Sequence, residues 1–190
     1  MSEALVIVDV QNDFTAGGAL EVPGGDEVIE PLNRLARRYD NVFATRDWHP
    51  PDHHSFEPEG GPWPLHCVQG TQGAELHPSL DRSQIDEIID KGEVRGREGY
   101  SAFEDTGFEQ RLRLLGIDSL TIGGLATNIC VRWTALDARR LGFEVKLATD
   151  AARGVDIEQG DTDRAIAEMQ AAGVQCVTAV ELTQGATRPD

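Results

Sequence analysis

The chain has 190 residues, enough to bury the hydrophobic core of one domain without disulfide or metal staples. Its formal net charge of −16 argues against nucleic acid and anionic membrane surfaces as partners, because both would repel the chain. No apolar run approaches the ~18 residues of a membrane span, and "MSEALVIVDV" lacks the basic region of a signal peptide. Three cysteines are too few for a disulfide framework. We therefore expect a cytoplasmic protein.

The basic residues are almost all arginine. Lys91 and Lys146 are the only lysines among the 17 basic residues. An acidic, lysine-poor surface is typical of proteins that stay soluble in concentrated salt, where screening removes the self-repulsion. A salt-loving host is therefore one hypothesis, and an acidic enzyme of an ordinary host is the other.

Short apolar segments alternate with helical patterns along the chain. In chain order we predict a strand at 4–10, a helix within 24–39, strands at 41–47 and 87–92, a helix at 108–116, a strand at 119–125, a helix within 126–142, a strand at 144–150, a helix at 159–173 and a strand at 174–180. Near-continuous hydrophobicity is typical of parallel strands that are covered on both faces. The sequence therefore predicts a single α/β domain over residues 1–190, a three-layer sandwich with a mainly parallel sheet and helices on both faces.

Residues 48–80 are the exception, because they are rich in Pro, Gly and His and show little periodicity. A loop of this length inside a compact domain is usually functional or disordered, and its prolines and tryptophans favour order. Ligands of open α/β sheets bind beyond the carboxyl ends of the strands. Four residues lie at or just after such ends, which marks them as candidates: Asp9, Asp47, Lys91 and Cys130.

Cys130 lies about five residues after a predicted strand, near the first turn of the next helix. The helix dipole and free N–H groups there favour a thiolate, but free cysteine is also among the most buried residue types. Asp9 could act as a general base or cap a loop, and Lys91 could stabilise a thiolate or be a solvated surface residue. Position alone leaves these alternatives open.

Four of the five histidines lie within 18 residues of the irregular segment. This segment combines carboxylate and imidazole groups, which suit Zn²⁺, Mn²⁺ or Fe²⁺, and the alternative is a hydrogen-bonded cluster; the candidate ligands are Asp47, His49, His53, His54 and His66. His53 and His54 are adjacent and cannot easily both point inward, so at most one of them is expected to be a ligand. We expect Cys67 to pack beneath this loop rather than bind metal, and Cys176 to belong to the core.

Three aromatic residues, Phe14, Trp63 and Tyr100, lie in glycine- or proline-rich loops that follow strands. Aromatic residues usually belong to the core. These three are placed where the pocket is expected, so they are also candidates to enclose a flat ring.

Five segments, taken in order, resemble the nicotinamidases among the isochorismatase-like cysteine hydrolases. They are "ALVIVDVQNDFTAGGALEVPGG", "TRDWHPPDHHSF", "WPLHCVQGTQGAELHP", "DKG…GYSAFEDTG" and "GGLATNICVRWTALDARRLGFEV". The resemblance covers essentially the whole chain. It implies a parallel sheet flanked by helices and the hydrolysis of nicotinamide to nicotinate and ammonia in NAD salvage.

The resemblance also implies roles for individual residues. By position, Asp9, Lys91 and Cys130 match the catalytic triad, and the backbone N–H groups of Ala126 and Cys130 match the oxyanion hole, with a cis peptide at Leu125–Ala126. Asp47, His49 and His66 match the ligands of one divalent metal ion, for which Zn²⁺ is expected and Mn²⁺ and Fe²⁺ are alternatives. Phe14, Trp63 and Tyr100 match the aromatic residues around the substrate ring, and His53 matches a histidine near the ion. The assembly stays open, with a homo-oligomer among the alternatives.

Three rival functions are less well supported. An amidohydrolase for another small amide or carbamoyl substrate would not need the metal cluster, and an isochorismatase acting on a vinyl ether would not need Cys130. A phosphorylatable receiver-type module also places carboxylates and a lysine at strand ends. That interpretation leaves Cys130 and the histidine-rich loop unexplained.

Overall fold

Six parallel strands form the central sheet in the computed structural model, which describes residues 2–184. They are β1 (Ser2–Val8), β2 (Val42–Asp47), β3 (Glu87–Lys91), β4 (Ile117–Leu125), β5 (Glu144–Arg153) and β6 (Gln175–Val177). Their order is β3-β2-β1-β4-β5-β6, and every neighbouring pair is parallel. All carboxyl ends therefore point the same way, and Asp47 pairs directly with Lys91 across β2 and β3.

Within the described residues, five α-helices cover the sheet: α1 (Ile29–Ala36), α2 (Phe108–Leu114), α3 (Arg132–Arg140), α4 (Asp161–Ala171) and α5 (Ala179–Gln184). Successive residues of a strand face opposite sides of a sheet. In β1, Val6 faces a buried cluster to which α2, α3 and α4 contribute, whereas Ile7 faces a second cluster to which α1 and α5 contribute. The predicted arrangement of helices on both faces of a parallel sheet is confirmed.

The predicted strand at 174–180 is partly wrong. β6 ends at Val177, and Ala179 begins α5. The reason is a capping box, in which Glu181 Oε2 accepts from the backbone N–H of Thr178 at 2.7 Å and Glu181 N–H donates to Thr178 Oγ1 at 3.1 Å. Cys176 is only half-buried because β6 is an edge strand, but it packs against the main core cluster, so its expected place in the core is confirmed in part.

Residues 48–80 contain no strand and only one short helical turn, the 3₁₀ turn Glu57–Glu59. An isolated bridge between Gln11 and Leu76 attaches this segment to the rest of the structure, and bridges within it join His49 to Val68 and Phe56 to Trp63. Within residues 2–184, no helix is both long and apolar enough to cross a membrane.

Candidate active site

A cavity opens at the carboxyl edge of the sheet. Seven of the residues predicted for the site line it: Phe14, Asp47, Trp63, His66, Tyr100, Ala126 and Cys130. Apolar side chains that were not predicted complete its wall: Leu20, Val22, Ile129 and Val155.

Lys91 is the centre of a buried charge cluster beside this cavity. Its side chain reaches from the end of β3 and is fully buried. The Nζ atom lies 2.8 Å from Asp9 Oδ2, donates to Asp47 Oδ1 and to the carbonyl of Gly99 at 2.9 Å, and lies 3.4 Å from Cys130 Sγ. One ammonium group therefore contacts two carboxylates and the thiol.

Asp9 follows the last residue of β1 rather than ending the strand, and its backbone has a φ of 50°. Its side chain is completely buried, and a carboxylate oxygen lies within 4.8 Å of Cys130 Sγ. Burial raises the pKa of Asp9 to about 6, although Lys91 acts in the opposite direction. A carboxyl with this pKa is poised to exchange a proton near neutral pH.

Lys91 acts differently on the other carboxylate. Burial alone would raise the pKa of Asp47, but Lys91 and then His49 outweigh burial and hold that pKa well below its usual range. Burial would likewise lower the pKa of Lys91, but Asp47 and Asp9 together hold it well above its ordinary value. The Lys91–Asp47 pair is therefore charged at neutral pH.

Cys130 lies in a π-helical turn, Thr127–Val131, which leads directly into α3. The peptide bond between Leu125 and Ala126 is cis, as expected, and it precedes this turn. Burial raises the pKa of the Cys130 thiol well above its ordinary value, although Lys91 lowers it. The helix start was expected to favour a thiolate, but burial dominates, so Cys130 is a thiol until a base takes its proton.

Asp47, His49 and His66 form a compact donor set. Each offers one ligand atom, these atoms lie within 4.8 Å of one another, and all three residues are buried. The Nδ1 atoms of His49 and His66 bond the carbonyls of Gly92 at 3.0 Å and Pro64 at 2.8 Å. Because each Nδ1 then carries the proton, both Nε2 atoms are free to bind a cation. This set fits a divalent metal such as Zn²⁺.

The backbone beneath His49 is tightly packed. Gly92 directly follows Lys91, has a φ of 67°, and lies against the His49 ring. A Cβ at this position would lie 2.6 Å from His49 Nδ1, closer than real Cβ contacts allow. A glycine at residue 92 therefore lets β3 and the metal-ligand loop approach each other.

The pKa values of the two histidines shift in opposite directions. Burial lowers the pKa of His66, which favours the neutral imidazole that binds metals. Burial also acts to lower the pKa of His49, but the neighbouring Asp47 carboxylate outweighs it and raises that pKa. The Nε2 atom of His49 lies 3.5 Å from Asp47 Oδ2, so these two atoms face the same space.

His53 lies outside this donor set. Its Nδ1 bonds Ser55 Oγ at 2.7 Å and its Nε2 bonds the carbonyl of Arg97 at 2.8 Å, so both ring nitrogens have protein partners. The ring stacks on His49 with centroids 4.2 Å apart. His54 points outward to Glu98, in agreement with the expectation that only one of the adjacent histidines faces inward.

Cys67 is fully buried among apolar residues and is absent from the donor set, as expected for a packing residue. Its backbone N–H donates to Asp13 Oδ2 at 2.7 Å, and its φ is 46°. This bond fixes the chain immediately after His66.

The three predicted aromatic residues meet at the cavity. Trp63 Nε1–H donates to the Tyr100 hydroxyl at 3.2 Å, and the Phe14 ring lies 5.7 Å from the His66 ring. Burial raises the pKa of Tyr100 to about 12, so its hydroxyl stays neutral. The cavity can therefore enclose a flat ring next to the donor set.

Two amides that sequence reasoning missed hold the site together. Gln11 is completely buried, and its side chain bonds both the N–H and the carbonyl of Asp47 at 2.8 Å. The Asn128 side chain bonds the carbonyl of Val155 at 2.8 Å and its N–H at 3.0 Å, which ties the turn of Cys130 to the cavity wall. Their proximity in sequence to Asp9 and Cys130 was the available signal.

Comparison with known proteins gives a consistent result. A family model described as an isochorismatase domain matches residues 3–181. The nicotinamidase of Escherichia coli (strain K12) is 43% identical, with 96% of this chain and 98% of that protein covered. The pyrazinamidase of Pyrococcus horikoshii, solved in complex with zinc, is 46% identical with a TM-score of 0.87, covering 94% and 99% of the two chains. PnC1 from L. infantum, solved in complex with nicotinate, is 36% identical with a TM-score of 0.90, covering 94% and 93%.

Proposed function

Because the chain belongs to the isochorismatase family, we propose that it is a nicotinamidase, an amidohydrolase that converts nicotinamide to nicotinate and ammonia in NAD salvage. One observation carries the proposal: a buried cluster of Cys130, Lys91 and Asp9 adjoins the Asp-His-His donor set, and both sets border one aromatic-lined cavity through Cys130, Asp47 and His66. The first set suits attack on an amide, and the second suits recognition of a ring nitrogen.

Cys130 is the nucleophile in this proposal. Asp9 takes the proton from Sγ, and the thiolate electron pair forms a bond to the carboxamide carbon. Lys91 stabilises the anionic pair, because its ammonium lies 3.4 Å from Sγ and 2.8 Å from the Asp9 carboxylate. Asp9 then gives its proton to the amide nitrogen as the C–N bond breaks, so ammonia leaves and a thioester remains.

Water completes the reaction. Asp9 removes a proton from the water that attacks the thioester carbon, and the C–S bond breaks to release nicotinate. The proton on Asp9 returns to the Cys130 thiolate. The backbone N–H groups of Ala126 and Cys130 hold the oxyanion in both halves of the reaction, and a donor of this kind is worth about 3–4 kcal/mol in acyl transfer.

Asp47, His49 and His66 are the residues that would hold a divalent metal ion. Zn²⁺ is the first choice, with Mn²⁺ and Fe²⁺ as alternatives, and the pyrazinamidase of Pyrococcus horikoshii was solved with zinc. When bound, the ion supplies a Lewis-acid site for the ring nitrogen of the substrate. Phe14, Trp63 and Tyr100 flank the ring. His53 lies beside the donor set and supports the His49 ring by stacking on it.

The test is ammonia release from nicotinamide by the intact protein and by the Cys130→Ala and Cys176→Ala variants. We expect Cys130→Ala to lose all measurable activity and Cys176→Ala to keep it, because Cys176 lies on the last strand of the sheet and does not line the cavity. Amidase activity that persists in Cys130→Ala would refute the assignment of the nucleophile. Chelation with EDTA, followed by addition of Zn²⁺, Mn²⁺ or Fe²⁺, tests the ion.

Two further expectations remain predictions, a single domain over residues 1–190 and a cytoplasmic location. The assembly stays open, with a homo-oligomer among the alternatives, and adaptation to high salt is one of the two hypotheses for the net charge of −16. Light scattering measures the assembly. Unfolding measured from low to molar KCl tests the salt hypothesis, and full stability without salt would contradict it.

A further inference from the structure

Thr45, in the middle of the sheet, contacts the proposed base through its side chain. It is completely buried in β2, two residues before Asp47. Its hydroxyl donates to Asp9 Oδ1 at 2.6 Å and accepts from the backbone N–H of Asp9 at 3.2 Å. A hydroxyl has one proton to donate, so these two bonds leave it a single orientation.

The two oxygens of the Asp9 carboxylate consequently differ. Oδ1 is held by Thr45, whereas Oδ2 has no bond to that hydroxyl and faces the Lys91 ammonium, whose Nζ lies 2.8 Å away. A carboxylate oxygen can accept more than one hydrogen bond, so Oδ2 keeps acceptor capacity for a further proton. A carboxylate oxygen of Asp9 lies within 4.8 Å of Cys130 Sγ, which makes that thiol the nearby proton donor.

Thr45 also supports an unfavourable backbone conformation. Asp9 has a φ of 50°, a region that residues other than glycine seldom adopt. The Asp9 N–H bonds both the hydroxyl and the carbonyl of Thr45, each at 3.2 Å. The same side chain therefore fixes both the backbone and the carboxylate plane of Asp9.

We propose that Thr45 is a positioning residue for the reaction, which holds Asp9 so that Oδ2, and not Oδ1, accepts the proton of Cys130. This inference rests on the proposed function. Thr45 does not line the cavity, so it acts through Asp9 and does not touch the substrate. Its effect is therefore on the chemical step rather than on substrate binding.

The test compares kcat and KM for nicotinamide in three variants. Thr45→Val has nearly the same shape but no hydroxyl, and we expect kcat to fall about 10- to 100-fold, the usual effect of a hydrogen bond to a charged group, with KM within about twofold. Thr45→Ser keeps the hydroxyl and should restore kcat to within about threefold. Should Thr45→Val fail to fold, Thr45→Ala removes the same hydroxyl without added bulk and carries the same expectation.

Thr121→Val is the matched control. Thr121 is also a completely buried threonine on a central strand, and its hydroxyl bonds Tyr39 and Glu3. It pairs with Leu5, about 13 Å along β1 from Asp9, so its loss should lower stability but leave kcat unchanged.

Each outcome decides a separate question. An inactive wild-type protein would overturn the proposed function and the role of Thr45 with it. An active wild type with Thr45→Val within twofold in kcat, or with a change in KM alone, would overturn only the inference. Equal losses in Thr45→Val and Thr45→Ser would show that the methyl group, and hence packing, matters instead of the hydroxyl.

Discussion

Replacing Lys91 by methionine should make the free energy of unfolding fall steeply as pH rises. Methionine keeps a flexible, unbranched side chain but removes the ammonium that contacts Asp9 and Asp47. Two buried carboxylates then lack their shared cation. Losing one partner of a buried ion pair costs about 3–5 kcal/mol, and we expect a loss of this size at pH 7.

The pH dependence follows from Asp9. In the native protein its pKa is about 6 against an ordinary 3.8, so the folded state binds the extra proton between these values and stability falls as pH rises through that range. The loss levels off above pH 6. Without Lys91 the pKa of Asp9 rises further, and the loss continues at about 1.4 kcal/mol per pH unit. Between pH 6 and 8 the variant should therefore lose about 2 kcal/mol more than the wild type, in which Asp9 is already half ionised at pH 6.

Urea unfolding at pH 6, 7 and 8, with a chelator present throughout, measures this difference. Lys146→Met is the control, because Lys146 pairs with Glu3 and both side chains are 31% exposed. An exposed pair of this kind contributes about 0–1 kcal/mol, and its loss should not depend on pH in this range. A difference between wild type and Lys91→Met that stays constant from pH 6 to 8 would refute the reasoning.

Two further predictions concern the base and the metal ligands. Because the pKa of Asp9 is about 6, its ionised form is lost as pH falls through that value. The kcat/KM for nicotinamide should therefore drop about tenfold for each pH unit below 6. A pH profile of kcat/KM that stays flat down to pH 5 would contradict this. Gly92→Ala places a Cβ against the His49 ring and should weaken Zn²⁺ binding, measured by metal titration, about 10- to 100-fold. Gly96→Ala, where a Cβ meets only open space, should bind Zn²⁺ like the wild type, and equal affinities of the two variants would disprove the packing argument.

The sequence predicts the sheet because its signal is local. Near-continuous apolar runs mark parallel strands, and charged residues at their ends, such as Asp47 and Lys91, mark the edge where ligands bind. The wrong prediction of a strand up to residue 180 also had a local signal against it, since Thr178 and Glu181 have the spacing of a capping box. A run of β-branched residues concealed it.

The electrostatics of the site could not be predicted in the same way. The position of Cys130 near a helix start predicts a lowered thiol pKa, yet burial raises it, and burial depends on the whole packed structure. The contact of Thr45 with Asp9 joins residues 36 positions apart, and no pattern within β2 marks that threonine. The tautomer of His49 likewise depends on the carbonyl of Gly92, which lies 43 positions away in the sequence.

The burial of Lys91 gives the protein an internal chemical reporter. Lys146, the other lysine, is partly exposed and should react readily with an acylating reagent such as an N-hydroxysuccinimide ester, whereas Lys91 is 1% exposed and has both carboxylates around it. Acylation of Lys91 therefore requires the carboxyl edge of the sheet to open. The ratio of label at residues 91 and 146, followed over time by mass spectrometry, would measure the frequency of that opening in the native protein with almost no background from other side chains.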